Sequence, residues 1–253
     1  MLRLPVLRLP TVLFPREALS LALTAVRVTS PPLTPALARE AIDVHGGRVA
    51  AVADGQRLGV VMQVLDAGSR ESDLLHVLGL SERCVLHGMG ERSAAGWRMG
   101  EFEAIDDSPL DGADAQRLAA EAARAYTLLE EGEADGSLDL TPCTLEEELS
   151  LWPCNPSEHP FWREASALPP QHDAAVLSLH LAARLPLTTA VRLHVLGCHC
   201  PLKRMMDVVD AMRALSRPEA RGGGGRYATA AHDERRLHKF TLVYDTAEAS
   251  GCE

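Results

Sequence analysis

The amino-acid sequence predicts an α+β fold, in which a small antiparallel pseudo-barrel is followed by a helical lobe. In the first part of the chain, apolar residues form short runs separated by glycine, serine and aspartate, as in successive antiparallel strands. After Asp107-Ser108-Pro109 they recur every three or four positions, as on one face of a helix. We therefore expect a β lobe at 1–107 and a helical lobe of the same domain at 108–215. A flexible tail at 216–253, with one possible added strand, would follow.

The predicted β lobe is organised around three apolar runs, at 58–64, 74–86 and 97–107. Polar residues and glycines at 65–69 and 88–93 predict the turns between them. In the third run Phe102 interrupts the alternation of apolar residues, which predicts a bulge near Gly100. The sequence also predicts two strands within 2–28, a brief helix from Pro35 to about Ile42, and a strand at 48–53.

In the helical lobe, the apolar spacing predicts a first helix from about Gly112 to Glu131, capped by Asp111 or Asp114. Its expected buried face is Leu118, Ala122, Tyr126 and Leu129. Residues 130–137 are acidic and are interpreted as an exposed linker, and a short helix is expected from Thr144 to about Leu151. Three further helices are predicted beyond Gln171, with apolar faces and caps at the following residues: Ala174, Leu177, Leu181, Leu185, Thr188, Gly197, Pro201, Leu202, Met205, Val209 and Met212. Met206 is also expected in the core.

Several short motifs occur in an order that resembles the amino-terminal domain of Lon proteases. They are Leu4-Pro5-Val6, Val12-Leu13-Phe14-Pro15, Gly79 to Arg83, Ile105-Asp106-Asp107 and Leu185-Pro186-Leu187. The resemblance covers roughly residues 4–215. One departure is the segment Ser30-Pro31-Pro32-Leu33-Thr34, which stands where the family usually has a glutamate-proline-arginine-tyrosine stretch and a helix.

The resemblance implies a PUA-like barrel and a non-catalytic module that binds unfolded or partner polypeptides, without the ATPase and protease domains of the full enzymes. A phosphate-binding loop requires Lys-Ser/Thr after its glycines, but Gly222–Gly225 is followed by Arg226-Tyr227 and is interpreted as a linker. Arg83 is expected to pair across strands rather than act in catalysis. Two alternatives stay open: an accessory regulator of a protease or ubiquitin-ligase assembly, and a hydrolase with an inconspicuous site.

Cys198-His199-Cys200 is the sharpest cluster of potential metal ligands. Structural zinc sites usually use C-x₂₋₄-C spacing and a second ligand pair, which Cys143, Cys154 and His194 could supply only if the fold brought them near. The favoured interpretation is a turn between helices that contains part-buried thiols. We accordingly expect no metal and no cofactor, with the zinc alternative left open.

The candidate binding surface is the proline-containing segment at 151–162, which includes Trp152, Phe161 and Trp162. Aromatic side chains on a non-helical path between two lobes suit either recognition or a strap that holds the lobes together. The sequence favours the strap slightly, and both interpretations stay open.

The composition of the chain limits the kinds of partner that it is expected to bind. A formal net charge of −10 argues against nucleic-acid binding, which requires clustered Lys and Arg. The absence of an apolar run of about eighteen residues argues against a membrane span. Six irregularly spaced cysteines and the lack of a secretory signal favour reduced thiols in an intracellular setting, either the cytoplasm or an organelle.

Overall fold

The computed structural model describes residues 1–9, 12–22, 34–66, 74–135, 168–170, 172–185 and 187–216. Its strands are β1 (Leu2–Leu9), β2 (Ala18–Ala22), β3 (Arg48–Ala53), β4 (Leu58–Asp66), β5 (Leu74–Arg92) and β6 (Arg98–Ile105). Its helices are α1 (Pro35–His45), α2 (Gly112–Asp135), α3 (Ala174–Arg184), α4 (Thr189–Gly197) and α5 (Pro201–Ser216). The predicted α+β fold class is confirmed.

Five strands form a closed ring in the order β5-β4-β3-β1-β6, and pairing of β5 with β6 completes it. Strand β2 lies outside the ring, against the first part of β5. The pairs are antiparallel except β1 with β3, which is parallel. A parallel pair needs a long crossover, and the chain makes β2 and α1 between these two strands. Alternation of apolar residues does not distinguish the two directions, so the sequence did not predict this pair.

Two bulges occur between β5 and β6, one on each side of the pair formed by Met89 and Gly100, so the predicted bulge near Gly100 is present, but the extra residues lie in β5. His87 is extra between the pairs Leu86–Phe102 and Gly88–Glu101, and β5 has one further extra residue between Met89 and Arg92. Tight packing also favours a glycine at position 100, because a Cβ there would lie 2.6 Å from Cγ2 of Val6. Strand β5 also continues to Arg92, and the turn that leads into β6 follows it rather than occupying residues 88–93.

Apolar side chains fill both the inside of the ring and a layer beneath α1. The inner cluster draws on all five ring strands: Leu4, Val6, Ala50, Val52, Val61, Cys84, Leu86 and Phe102. On the outer face, α1 buries Leu37, Ala38 and Ala41 against side chains of β1, β3 and β4. Thr34 caps α1 at its start, and Gly46 ends it with a φ of 61°, a few residues beyond the predicted end at Ile42.

Helix α2 begins where the sequence predicts, and Asp111 is its cap, since its Oδ1 accepts the backbone N–H of Asp114 at 2.8 Å. Leu118, Ala122 and Leu129 are buried as predicted, whereas Tyr126 is half-buried. The helix extends to Asp135, so the expected acidic linker was wrong for its first part. Glutamate and alanine favour helix, which explains the extension.

The last three predicted helices are present with their predicted apolar faces, although the first begins at Ala174 and not at Gln171. Thr188 caps α4, and its Oγ1 accepts the N–H of Val191 at 3.3 Å. The predicted apolar faces of α3 and α5 are buried in the core of the helical lobe. Met206 is the exception, because its side chain is 40% exposed and the prediction of a core position was wrong.

Candidate functional site

The two lobes meet at a surface that we call the lobe junction, formed by residues 12–17, parts of β4 and β5, and helices α3, α4 and α5. Val12, Phe14 and Val60 from the β lobe belong to the same buried cluster as the helical side chains. Their burial supplies apolar contact between the lobes. Two groups of polar side chains join the lobes at this contact, one centred on the buried Arg83 and Arg204 and the other on the half-buried Arg192.

The first group contains Arg83 from β5, Asp107 after β6 and Arg204 from α5. Arg204 is fully buried and donates to both oxygens of Asp107, at 2.7 and 2.9 Å. Arg83 is 3% exposed and donates to Oδ1 of Asp107 at 2.5 Å. One carboxylate is therefore shared by two guanidinium groups from different lobes.

Backbone carbonyls and one hydroxyl accept further hydrogen bonds from the two guanidinium groups. Arg83 donates to the carbonyls of Leu196 and Cys198 at 2.7 and 2.8 Å. Arg204 donates to Cys198 O at 2.9 Å, and its Nε donates to Ser178 Oγ at 2.7 Å. Buried charges persist when they are paired and hydrogen-bonded in this way. Arg83 does reach across from β5 to the residue pair that follows the neighbouring strand β6, as predicted, but the prediction did not include its bonds to the helical lobe.

The pKa shifts in this group follow from burial and charge. Burial alone would raise the pKa of Asp107, but the hydrogen bonds and charge of Arg204 and the charge of Arg83 outweigh it and hold that pKa below its usual value. The pKa of Arg83 is lowered by burial and by the like charge of Arg204. Asp107 is therefore ionised at neutral pH.

The second group is organised by Arg192 of α4. Its Nε and Nη2 donate to Val12 O at 3.1 and 2.7 Å, and Nη2 also lies 3.3 Å from Oε2 of Glu17. The guanidinium carbon lies 4.7 Å from the centroid of the Phe14 ring, close enough for a cation–π contact. Glu17 in turn accepts the N–H of Phe14 at 2.8 Å. Arg192 thus attaches the 12–17 segment to the helical lobe.

Burial raises the pKa of Glu17, although the charge of Arg192 and the hydrogen bond from Phe14 oppose that rise. The ionised form of Glu17 is therefore less favoured in the folded protein than that of Asp107. The two carboxylates differ because Glu17 is more deeply buried than Asp107, and because Asp107 faces two guanidinium groups while Glu17 faces one.

Gly79 and Arg83, the ends of the Gly-x-x-x-Arg motif, both contribute to the junction. The backbone of Gly79 pairs with the 14–17 turn, since its carbonyl accepts the N–H of Arg16 and its N–H donates to Glu17 O, both at 2.9 Å. A Cβ on Gly79 would lie 2.6 Å from Phe14 O, which excludes any side chain unless the backbone moves. Glycine is therefore required for the turn to approach β5 so closely.

The Cys198-His199-Cys200 segment is the turn between α4 and α5. Its role in the described structure is to present the carbonyl of Cys198 to Arg83 and Arg204. Cys198 and Cys200 are free and half-buried, while Nδ1 of His199 lies 3.1 Å from Asp106 O. Within the described residues, no three His, Cys, Asp or Glu side chains converge to hold a metal ion, and Cys143 and Cys154 lie outside those residues.

His180 of α3 is a buried histidine, and no other residue that the structure describes forms a hydrogen bond with its Nε2. It is 3% exposed, and burial together with the charges of Arg184 and Arg16 lowers its pKa to about 3. His180 is therefore neutral at physiological pH and packs in the core of the helical lobe as an apolar side chain would.

The predicted binding residues Trp152, Phe161 and Trp162 lie outside the described residues, as does the predicted helix from Thr144 to Leu151. Their placement stays a prediction. Among the residues that the structure describes, no helix is both long and apolar enough to cross a bilayer.

Sequence reasoning missed Asp107, Arg192 and Arg204 as junction residues. A signal was available for Arg204, which lies between the buried residues Leu202 and Met205 on the apolar side of α5. A charged residue on such a face needs a buried partner. No comparable local signal marks Arg192, which is preceded by Val191 and followed by Leu193 on a short, mixed helix.

The five-stranded ring joined to a helical lobe is similar to a solved structure of the amino-terminal domain of a Lon protease. The structure resembles the "N terminal domain of Mycobacterium avium complex Lon protease" with a TM-score of 0.55 and 14% identity. That match covers 84% of this chain and 98% of the other. The resemblance predicted from the sequence motifs is thereby confirmed at the level of the fold.

A second solved structure is the "Lon N-terminal domain protein from Xanthomonas campestris", with a TM-score of 0.48 and 18% identity. That match covers 83% of this chain and 98% of the other. Comparison of the sequence with protein-family models and with curated proteins finds no match.

Proposed function

We propose that this chain is a non-catalytic module that binds unfolded or partner polypeptides. The observation that carries the proposal is the likeness to the amino-terminal domain of a Lon protease over 84% of this chain. The family resemblance implies that this fold recognises polypeptides while other domains perform hydrolysis. The proposal transfers that role, and not any particular substrate, to this chain.

We place the binding surface beside the lobe junction, on the segment that contains Trp152, Phe161 and Trp162. Large aromatic side chains are the usual anchors of polypeptide recognition, because they bury much area at little cost in conformational entropy. At the junction itself the buried guanidinium groups are already paired with Asp107, so we assign the junction the role of a frame and not of the contact surface. This division of roles makes the proposal testable by separate measurements of stability and binding.

The test uses reduced, carboxymethylated α-lactalbumin as a permanently unfolded probe and native α-lactalbumin as its folded counterpart. Binding is measured by isothermal titration calorimetry, and unfolding of the module is measured by circular dichroism. We expect the unfolded probe alone to bind, and Trp162→Ala or Trp152→Ala to weaken it by about 2 kcal/mol while melting is unchanged. Met206→Ala is the matched control, because Met206 is an exposed apolar residue outside the segment at 151–162.

Two results would contradict this proposal. Failure of the intact chain to bind the unfolded probe would remove the recognition role. Steady hydrolysis of ATP or casein that one substitution abolishes would favour the hydrolase alternative. In the described part of the chain, the side chains of His87, His194 and His199 are hydrogen-bonded to Glu103, Asp207 and the Asp106 carbonyl, not to a serine or cysteine.

A further inference from the structure

The outer edge of β2 is the place where the described sheet stops. Within the described residues β2 is hydrogen-bonded to β5 alone, whereas each strand of the ring has neighbours on both sides. The outward N–H and C=O groups of such a strand are a template for another strand. Edges are usually defended by charged residues, prolines or bulges. β2 reads Ala-Leu-Ser-Leu-Ala and pairs in unbroken register with β5, so it has none of these defences.

The carboxy-terminal part of the chain contains a segment that fits this edge. Residues 240–244 read Phe-Thr-Leu-Val-Tyr, an uncharged run of aromatic and β-branched residues that favour strands. The run has the same length as β2 and is bounded by Lys239 and Asp245. The chemistry of the segment therefore matches an uncharged edge of five residues.

The connecting chain is long enough for this segment to reach the edge. Helix α5 ends at Ser216, and residues 217–239, which include four consecutive glycines, precede the segment. A flexible linker of that length has a root-mean-square span of about 25 Å. That span is comparable with the radius of a domain of this size, so the segment would have an effective concentration in the millimolar range at the β2 edge.

We propose that residues 240–244 add as a strand to the outer edge of β2 and close that edge against other extended chains. The backbone hydrogen bonds of the added strand supply the affinity, and the tether removes most of the entropic cost of association. This inference does not depend on whether the chain binds polypeptides. It assigns an intramolecular partner to the one described strand that has a single neighbour.

The test is amide-resolved hydrogen exchange by NMR on the full-length protein. Leu242→Pro removes strand-forming capacity from the centre of the segment, because proline lacks an N–H and restricts the backbone. Ala249→Pro is the matched control, with the same residue type introduced five positions beyond Tyr244. The β2 amides that point away from β5 should exchange about tenfold faster in Leu242→Pro, while those bonded to β5 stay protected. The control should match the unsubstituted protein.

Equal exchange of the outward β2 amides in all three proteins would overturn the proposal. If those amides remain protected in Leu242→Pro but lose protection on dilution, the occupant of the edge is a second copy of the chain and the proposal is again wrong. A synthetic peptide of residues 236–248 provides a further check. It should restore slow exchange when added to Leu242→Pro, and failure to do so at millimolar concentration would also count against the assignment.

Discussion

Replacing Asp107 with asparagine tests whether the shared carboxylate holds the two lobes together. The asparagine side chain would keep one acceptor oxygen but would leave the guanidinium groups of Arg83 and Arg204 without a counter-charge in this group. Both arginines are almost completely buried, at 3% and 0% exposure. Removing one partner from a buried ion pair typically costs about 3–5 kcal/mol. The Asp107 side chain is itself 32% exposed, so we expect the lower end, about 3 kcal/mol.

Asp210→Asn is the matched control for this substitution. Asp210 lies on α5 with Arg204 and forms an ion pair with Arg213, but both side chains of that pair are well exposed, at 57% and 43%. Exposed pairs contribute little, so the control should cost less than about 0.5 kcal/mol. Equilibrium urea denaturation of both variants at neutral pH gives the free energies of unfolding. A cost below about 1 kcal/mol for Asp107→Asn would refute the argument from buried charge.

The stability difference between the unsubstituted protein and Asp107→Asn should also depend on pH, and the direction of that dependence follows from the pKa of Asp107. Because the folded-state pKa of Asp107 is lowered, its ionised form stabilises the fold above the ordinary aspartate pKa, and this contribution is lost as the pH falls through the lowered value. The difference in unfolding free energy between the unsubstituted protein and Asp107→Asn should be constant near neutrality and shrink below about pH 4. A difference that stayed constant into acid would mean that the charge of Asp107 is not the source of the effect.

Three further predictions concern single positions, each measured as unfolding free energy in urea. Burial and neighbouring arginines lower the pKa of His180 to about 3 from 6.5, so protonation favours the unfolded chain below pH 6.5. The free energy of unfolding of His180→Leu should therefore rise relative to that of the unsubstituted protein by about 1.4 kcal/mol for each unit that the pH falls between about pH 6 and 4. A difference that did not change with pH would contradict this. The pKa of Glu17 is raised, so stability is lost as the pH rises through its folded-state value. As the pH rises through that value, Glu17→Gln should become more stable relative to the unsubstituted protein, and a relative loss of stability would contradict the raised pKa. Gly79→Ala places a Cβ against Phe14 O and should cost about 1–3 kcal/mol, whereas Gly88→Ala meets no atom within 4 Å and should cost much less; equal costs would show that close approach at Gly79 is unimportant.

The fold class could be predicted from the sequence because local patterns carry that information. Short alternating runs indicated the strands, and the change to helical spacing after Asp107-Ser108-Pro109 indicated the lobe that follows. Thr188, Gly197 and Pro201 located the ends of α4 and the start of α5, because caps and prolines act on their immediate neighbours. These features need no knowledge of which elements meet.

The lobe junction was not predicted because its contacts join residues that are far apart in the chain. Arg83 and Arg204 meet at Asp107 only after the ring has closed and α5 has packed onto it. The parallel pairing of β1 with β3 has the same origin, since either strand alone is equally compatible with an antiparallel partner. The sequence pattern identified Trp152, Phe161 and Trp162 as candidate binding residues in a proline-containing segment. Whether they bind polypeptides is tested by the binding experiment.

The two ends of the Gly-x-x-x-Arg motif both contribute to the packing of the two lobes. Both lie on β5, four residues apart, where Gly79 admits the 14–17 turn and Arg83 reaches the turn between α4 and α5. Arg192 on α4 then returns to the 12–17 segment, so three separate contacts connect one strand, one turn and one helix in a closed circuit. A change at any of the three therefore disturbs the orientation of the lobes as well as its own contacts. The packing of the two lobes is therefore sufficient to account for both residues of the motif.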